Sequence, residues 1–146
     1  MKLANIPFVG AGVLGSAVGM DKDVMKRLLR GDCIPIADFA AFNYSDKDKI
    51  VYSELVEKLG LPLFVKPANM GSSVGISKTG NQEDFEKAID NAFQYDNKVI
   101  IEEYIKGREI ECSVLGNEHP KASLPGEILP QADFYSYEAK YIDEKG

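Results

Sequence analysis

The sequence has little of what metal-binding and disulfide-stabilised proteins require. His119 is the single histidine in 146 residues, so this chain cannot build a metal site from several histidines. Cys33 and Cys112 are the two cysteines; they lie far apart and form no Cys-x-x-Cys pair. We interpret them as reduced, buried thiols of a cytosolic protein. His119 follows a turn-like Gly-Asn-Glu sequence, and we expect it to be exposed in a loop.

Two further absences concern membranes and nucleic acids. No apolar run approaches the roughly 18 residues of a membrane-spanning helix. The apolar stretch 6–18 follows a single lysine, Lys2, and is interrupted by Pro7, so we do not expect a signal peptide. With a formal net charge of −6, nothing in the composition suggests a nucleic-acid-binding domain, which would need a basic patch. Hydrophobic residues make up 45% of the chain, which is enough to form a core.

The most informative stretch comprises residues 61–78, whose pattern predicts a strand, a loop and a second strand. Side chains alternate up to Pro67, which ends the first strand because it cannot donate to a ladder. Gly71 and Gly75 flank two serines and a valine, and both glycines can take a positive φ. Successive N–H groups in such a turn can form a concavity that binds anions.

The charges around this loop favour phosphate as the anion. Lys66 and Lys78 bracket the loop with positive charge. The loop is not a Walker A motif, because no lysine follows Gly75 and the sequence continues as a strand instead of a helix. On spacing alone, an ordinary hairpin with a Gly/Ser-rich connection remains an equal alternative.

Three segments carry a more specific signal. They are Gly19-Met20-Asp21-Lys22, then Val65-Lys66-Pro67 with Gly71-Ser72-Ser73-Val74-Gly75, and finally Tyr137-Glu138-Ala139-Lys140-Tyr141. In this order they resemble the start of the ATP-binding domain, the nucleotide loop and the active-site flap of D-alanine–D-alanine ligases. These are ATP-grasp enzymes of bacterial cell-wall synthesis. The resemblance covers nearly the whole chain, which is shorter than the family's usual enzyme.

The resemblance implies that three lysines contact the phosphates of ATP. Lys66 would reach them from the end of its strand, Lys22 from the preceding helix and Lys140 from the flap. Without the resemblance, Lys22 reads as a tolerated surface lysine, since the helix macrodipole disfavours a cation in the first turn. The loop residues that would bind the nucleotide are Gly71, Ser72, Ser73 and Val74, with Ser73 and the loop N–H groups closing over the terminal phosphate.

The same resemblance implies the catalytic residues Ser72, Lys140 and Tyr141. Ser72 would orient the second amino acid substrate through a hydrogen-bond chain with Tyr141. A tyrosine after Glu-Ala-Lys goes with dipeptide formation in this family, whereas relatives with phenylalanine can make an ester with D-lactate. An aromatic residue that merely packs is the alternative for Tyr141.

An acidic segment resembles the strand against which the adenine lies. Its residues are Glu102, Glu103, Tyr104 and Ile105. Glu102 would accept a hydrogen bond from the exocyclic amine, and the backbone of Tyr104 and Ile105 would contact the ring edge. The alternative is that this part of the chain is a solvated strand face without a ligand.

Glu109 corresponds to the glutamate that holds the ribose hydroxyls in the family. A carboxylate that accepts two hydroxyl donors is sound chemistry for that role. Two alternatives remain open: a solvated strand face, or Mg²⁺ ligation together with Glu111, because both carboxylates lie on one face of a strand. In the family the Mg²⁺ ligands lie nearer the C-terminus, so the resemblance implies no metal ligand in this chain.

The whole-enzyme resemblance implies a reaction and its partners. ATP would phosphorylate the carboxylate of one D-alanine, and the amine of a second D-alanine would attack the acyl phosphate. The implied setting is cytoplasmic, with Mg²⁺ present and a homodimer for the full-length enzyme, without nucleic acid or membrane partners. Two alternatives remain: another ATP-grasp carboxylate–amine ligase, or a nucleotide-binding fragment without activity of its own.

We predict an α+β fold, an ATP-grasp subdomain with an antiparallel sheet covered by helices on one face. The predicted strands are Ile34–Phe42, Leu63–Pro67, Val74–Lys78 and Val99–Ile105, and the predicted helices are Asp21–Leu29, Val51–Leu59 and Asn81–Phe93. Residues 1–20 would end an N-terminal substrate domain, 21–107 form the small ATP-grasp subdomain, and 108–146 begin an incomplete C-terminal α+β subdomain with the flap. There, Ile110, Cys112 and Val114 should point inward.

Overall fold

The computed structural model describes residues 2–129 of the chain. The predicted flap residues 137–141 lie outside this range. The chain divides into two compact units, one that extends to Tyr104 and one that begins at Ile105. Among the described residues, no helix is both long enough and apolar enough to cross a membrane.

The first unit is built around a four-stranded sheet with the strand order β1-β4-β2-β3. Its strands are β1 (Phe39–Asn43), β2 (Leu63–Pro67), β3 (Ser77–Thr79) and β4 (Lys98–Glu103). All three neighbouring pairs are antiparallel, which confirms the predicted sheet. β2 has the predicted bounds, since its side chains alternate between a buried and a partly exposed face.

Two strands are shorter than predicted. The predicted strand Ile34–Phe42 is regular only from Phe39, because β4 ends at Glu103 and offers no ladder beyond it. There the Glu103 carboxylate accepts the N–H of Asp38 at 2.7 Å. The predicted strand Val74–Lys78 begins only at Ser77, since the preceding residues belong to turns.

Four α-helices belong to this unit. They are α1 (Val13–Met20), α2 (Lys22–Gly31), α3 (Tyr52–Leu59) and α4 (Gln82–Tyr95), and a 3-10 helix (Tyr44–Lys49) follows β1. The last three helices match the predicted ones within two residues. α1 has no buried residue.

The core lies between the sheet and helices α3 and α4. Its fully buried members are Leu55, Leu59, Leu63, Val65, Phe85, Ala88, Ile89, Ala92, Val99 and Ile101. A smaller cluster of Phe39, Ala68 and Ile100 lies on the opposite face of the sheet. α2 reaches this second face, where Lys26 contacts Phe39 and Glu102, instead of joining the other two helices. Its position follows from its lysines, which need polar partners that the apolar core does not offer.

Residues at the helix ends explain two further differences. Gly31, a residue type that commonly follows the end of a helix, instead belongs to α2, and Cys33 takes the left-handed backbone conformation, with φ of 58°. Cys33 is exposed, and so is Cys112, so the prediction of buried thiols is wrong. Gly60 does end α3 with a positive φ of 76°.

Asn81 caps α4, and its loss should be measurable. Its side-chain oxygen accepts the N–H of Asp84 at 2.9 Å. We expect Asn81→Ala to lower the free energy of unfolding by about 1 kcal/mol, the usual cost of losing an N-cap. Urea unfolding checks this, with Gln94→Ala in the exposed last turn of the same helix as the control. Equal effects of both substitutions would show that the cap contributes nothing.

The second unit contains two separate antiparallel strand pairs within its described part. β5 (Glu109–Glu111) pairs with β8 (Gly126–Ile128), and β6 (Val114–Leu115) pairs with β7 (Lys121–Ala122). The side chains predicted to point inward from this segment are exposed, because no layer among its described residues covers them. His119 is exposed in the bend between β6 and β7, which confirms that prediction.

Candidate functional site

The loop after β2 is a left-handed turn at one end of the sheet. The N–H of Val74 donates to the carbonyl of Gly71 at 3.1 Å. The two residues between them, Ser72 and Ser73, have φ values of 53° and 61°. Positive φ at both central positions is the pattern of a type I′ turn, where glycine and asparagine are the usual residues. The sequence led us to expect this conformation at Gly71, which does not adopt it; two serines do so instead.

A second turn overlaps the first and depends on Gly75. The N–H of Ile76 donates to the carbonyl of Ser73 at 3.2 Å, and Gly75 has a φ of 68°. A Cβ on Gly75 would lie 2.7 Å from Cδ2 of Tyr95 and 2.8 Å from Cγ of Pro67. This glycine is therefore needed both for its conformation and for the close approach of the loop to the end of α4.

Lys22 places its ammonium at the base of this loop. The ammonium donates to the carbonyls of Pro67 and Ala68, each at 3.3 Å, and also to that of Met70. Lys22 is thus partly buried and hydrogen-bonded to the backbone at the end of β2, so it is not a free surface lysine. Burial lowers the pKa of the Lys22 ammonium, and the neighbouring positive charge of Lys66 lowers it further.

Asp96 and Lys98 fix the backbone on either side of Lys22. The carboxylate of Asp96 accepts the N–H of Asn69 at 2.7 Å and the side-chain amide of the same residue at 2.8 Å. Lys98 pairs with Asp21, the N-cap of α2, at 2.6 Å. Burial acts to raise the pKa of Asp21, but hydrogen bonds from Lys98 and Val24 outweigh it and leave that pKa below its ordinary value. The start of α2 is therefore tied to β4 next to the loop.

Lys66 projects from β2 and meets Glu102 of β4. Its ammonium forms a hydrogen-bonded ion pair with Oε2 of Glu102, and Lys26 pairs with Oε1 at 2.9 Å. Burial acts to raise the pKa of Glu102, but the positive charges and hydrogen bonds of Lys66 and Lys26 more than offset this and hold the pKa below its ordinary value. The carboxylate is therefore ionised, with one cation on each oxygen.

Aromatic rings lie beside these charges on the same face of the sheet, opposite the main core. The Lys66 ammonium is 5.2 Å from the ring centre of Phe64, and that of Lys78 is 4.6 Å from the ring centre of Tyr104. The two rings are 6.1 Å apart. Flat aromatic surface next to ammonium groups suits a ligand with a planar ring and an anionic part.

The remaining predicted site residues are less closely gathered. Glu103 holds the start of β1 and does not point into the cluster of Lys22, Lys66 and Glu102. Ile105 and Glu109 belong to the second unit, where both are exposed. The predicted catalytic residues Lys140 and Tyr141 lie outside the described residues. Among residues 2–129, no group of three or more His, Cys, Asp or Glu could hold a metal ion.

Sequence reasoning missed Lys26, which is only 7% exposed. A signal was available, since Lys26 follows Lys22 by four residues and such pairs share one face of a helix. The partner Glu102, however, is 76 residues away in the sequence, so only the folded sheet shows the contact.

Comparison with known families identifies the family of the chain. A family model described as "D-ala D-ala ligase C-terminus" matches residues 28–146. The chain belongs to this family. A D-alanine–D-alanine ligase of Oceanobacillus iheyensis is 60% identical over 146 residues, which is 100% of this chain and 40% of the relative. The chain thus spans about two fifths of the length of that ligase.

Solved structures of ligases share the fold. The D-alanine–D-alanine ligase from Coxiella burnetii matches with a TM-score of 0.82 and 46% identity, over 88% of this chain and 38% of that one. The VanG D-Ala:D-Ser ligase from Enterococcus faecalis matches with a TM-score of 0.83 and 36% identity, over 93% and 39% respectively. These ligases confirm the predicted ATP-grasp subdomain.

Proposed function

We propose that the first unit binds the phosphates of ATP at the turn formed by residues 71–75. The observation that carries the proposal is the pair of ammonium groups beside this turn. Lys22 is fixed on the carbonyls at the end of β2, and Lys66 projects from the same strand end. Ammonium groups and loop N–H donors are what a polyphosphate requires. The positive φ values of the two serines indicate local backbone strain of the kind found at ligand sites.

For the whole protein, the proposal extends to ATP-dependent joining of two D-alanines. The terminal phosphoryl group of ATP passes to the carboxylate of one D-alanine, which leaves ADP and an acyl phosphate. The amine of a second D-alanine attacks the carbonyl carbon, and phosphate leaves as the peptide bond forms. Residues of this chain would hold and neutralise the phosphates, since positioning and charge stabilisation carry such chemistry.

The chain's family membership supports the remaining parts of this proposal. They are a cytoplasmic location, peptidoglycan synthesis as the purpose, and a homodimer as the full-length form. Glu102 and the backbone of Tyr104 and Ile105 would contact the adenine, and Glu109 would hold the ribose. We assign no Mg²⁺ ligand to the described residues.

The second substrate could be D-alanine or D-serine, and an experiment can distinguish the two. The D-Ala:D-Ser ligase fits this chain as well as the D-alanine ligase does, with TM-scores of 0.83 and 0.82. The fold of this region therefore does not select the second substrate. Tyr141 favours a dipeptide product over a D-lactate ester, which both amino acids satisfy. The curated relative of 60% identity is named a D-alanine–D-alanine ligase, which leads us to propose D-alanine. Product analysis of the full-length protein with equal D-alanine and D-serine decides the matter. A D-Ala-D-Ser product in excess would overturn this choice.

Lys66→Ala tests the proposed phosphate site. We expect it to weaken binding of a non-hydrolysable ATP analogue by about 1.5–3 kcal/mol, the range for a hydrogen bond to a charged group. That is roughly tenfold or more in affinity. The fold should persist, because Glu102 keeps Lys26 as a partner. Calorimetric titration measures the affinity and thermal unfolding checks the fold.

Lys78→Ala is the matched control. Lys78 lies on the next strand and contacts the ring of Tyr104, not Glu102 or the base of the loop. We expect its loss to cost at most about 1 kcal/mol of binding, as for an exposed cation–π contact. Equal losses in both variants would contradict the proposed site. Normal binding by Lys66→Ala together with early unfolding would make Lys66 a structural residue.

A further inference from the structure

The carboxylate of Glu102 has two cations of different exposure. Lys26 is 7% exposed as a residue, whereas the side chain of Lys66 is 23% exposed. Lys26 is also held by a hydrogen bond to the carbonyl of Ala37 at 3.1 Å, and its ammonium lies 5.2 Å from the ring centre of Phe39. Lys66 stands at the strand end beside the loop. Lys26 is therefore enclosed and held by several contacts, whereas Lys66 is partly open to solvent at the strand end.

This difference matters because the proposed function requires Lys66 to neutralise two anions, the Glu102 carboxylate and a phosphate. If its ammonium neutralises a phosphate, the Glu102 carboxylate loses that partner while it remains buried, with a side chain only 8% exposed. A buried carboxylate without a cation is strongly destabilising. Lys26 removes this obstacle, since it continues to hold Oε1 after Lys66 has turned away.

We propose that Lys26 is a positioning residue that keeps Glu102 charged and in place while Lys66 exchanges this carboxylate for a nucleotide phosphate. The inference rests on the proposed nucleotide function and adds to it a residue outside the predicted site. Lys26 itself touches no nucleotide in this account. It acts through Glu102, and thereby through the availability of Lys66.

The surroundings of Glu102 leave few other charges to replace Lys26. From α2 it is faced by Lys26 and, at longer range, by Lys22, and from β2 by Lys66. The residues directly opposite it on the neighbouring strands are both phenylalanines, namely Phe39 and Phe64. Lys22 is engaged with three carbonyls at the loop, so Lys26 is the cation that stays with the carboxylate.

The first test needs no nucleotide. Lys66→Met imitates the departure of Lys66, and carbon NMR of the Glu102 carboxyl follows its titration in the 146-residue chain. We expect the midpoint in Lys66→Met to lie at least about one pH unit below that in the double variant Lys26→Met/Lys66→Met. Equal midpoints would overturn the inference, because Lys26 would then not hold the charge of Glu102.

The second test measures protons taken up when a non-hydrolysable ATP analogue binds. Calorimetry in buffers of different ionisation heat gives this number. We expect almost no uptake in the wild type near pH 7, and in Lys26→Met a clear uptake with an affinity lowered about tenfold or more, because Glu102 must then be protonated when Lys66 leaves. Lys26→Arg should restore both values, and Lys47→Met, at an exposed ion pair with Asp90, should change neither.

The outcomes separate this inference from the proposed function. If the wild type binds no analogue, the proposed function fails and the exchange of partners fails with it. If the wild type binds but Lys26→Met behaves identically, only the role of Lys26 is overturned. A loss of affinity in Lys26→Met without added proton uptake also overturns it, because a merely structural lysine would produce the same loss.

Discussion

Glu102→Gln is expected to lower the free energy of unfolding by about 3 kcal/mol near pH 7, the lower end of the range for removing one partner of a buried ion pair. The carboxylate neutralises two lysines, and Lys26 is enclosed at 7% exposure, so its charge would remain buried without an anion. The lower end applies because Lys66, with 23% of its side chain exposed, can turn to water. Urea unfolding of both proteins measures the difference.

The pH dependence of this loss has a definite sign. The pKa of Glu102 is lower in the folded protein than its ordinary value, because Lys66 and Lys26 outweigh the effect of burial. Its contribution to stability is thus fully present above the unfolded-state pKa and is lost as the pH falls through the folded-state pKa. The difference between wild type and Glu102→Gln should therefore shrink on acidification.

Asp90→Asn is the matched control for Glu102→Gln. Asp90 pairs with Lys47 at 2.6 Å, and the two side chains are 64% and 39% exposed. An exposed pair of this kind contributes roughly 0–1 kcal/mol. If Glu102→Gln costs no more than Asp90→Asn, or if its cost does not change with pH, then Glu102 is not the buried charge on which the two lysines depend.

Gly75→Ala is expected to cost about 2–4 kcal/mol of unfolding free energy, from a left-handed backbone and an overpacked contact together. The backbone contribution arises because φ is 68°, where an L side chain crowds the following carbonyl. The overpacking contribution arises because the new Cβ would lie 2.8 Å from Cγ of the buried Pro67. Tyr95, at 2.7 Å, is partly exposed and can turn away, but the proline ring cannot.

Gly71→Ala serves as the control at the other end of the same loop. A Cβ there meets no heavy atom within 4 Å, and the backbone is not left-handed. We expect a change within roughly 0.5 kcal/mol, as for an ordinary exposed position. Thermal or urea unfolding of the two variants decides between the glycines. Equal and small effects would mean that the loop shifts freely and that the close packing of Gly75 is unimportant.

Elements with a strong local pattern could be predicted from the sequence. β2 alternates buried and partly exposed side chains over Leu63–Pro67, and its predicted bounds are those observed. α4 lies within two residues of the predicted bounds and buries Phe85, Ala88, Ile89 and Ala92 on one face. In both cases residues close together in the sequence determine the outcome, because the apolar spacing matches the period of the element.

Features that depend on distant partners could not be predicted in this way. The strand pattern before Phe39 was misleading because the length of β1 is set by where β4 ends, at Glu103. The left-handed serines could not be foreseen, since glycine is the residue that ordinarily takes that conformation. The ion pairs of Glu102 join three elements, and no local spacing reports them.

The most direct test of the phosphate site is an amide NMR titration of the 146-residue chain with a non-hydrolysable ATP analogue. We expect the largest shift changes at residues 71–75 and at Lys22 and Lys66, with smaller ones around Tyr104. Inorganic triphosphate should reproduce the changes at the loop but not those near Tyr104. Changes confined to the groove between Lys47 and Ile89, or no saturable change at all, would contradict the account.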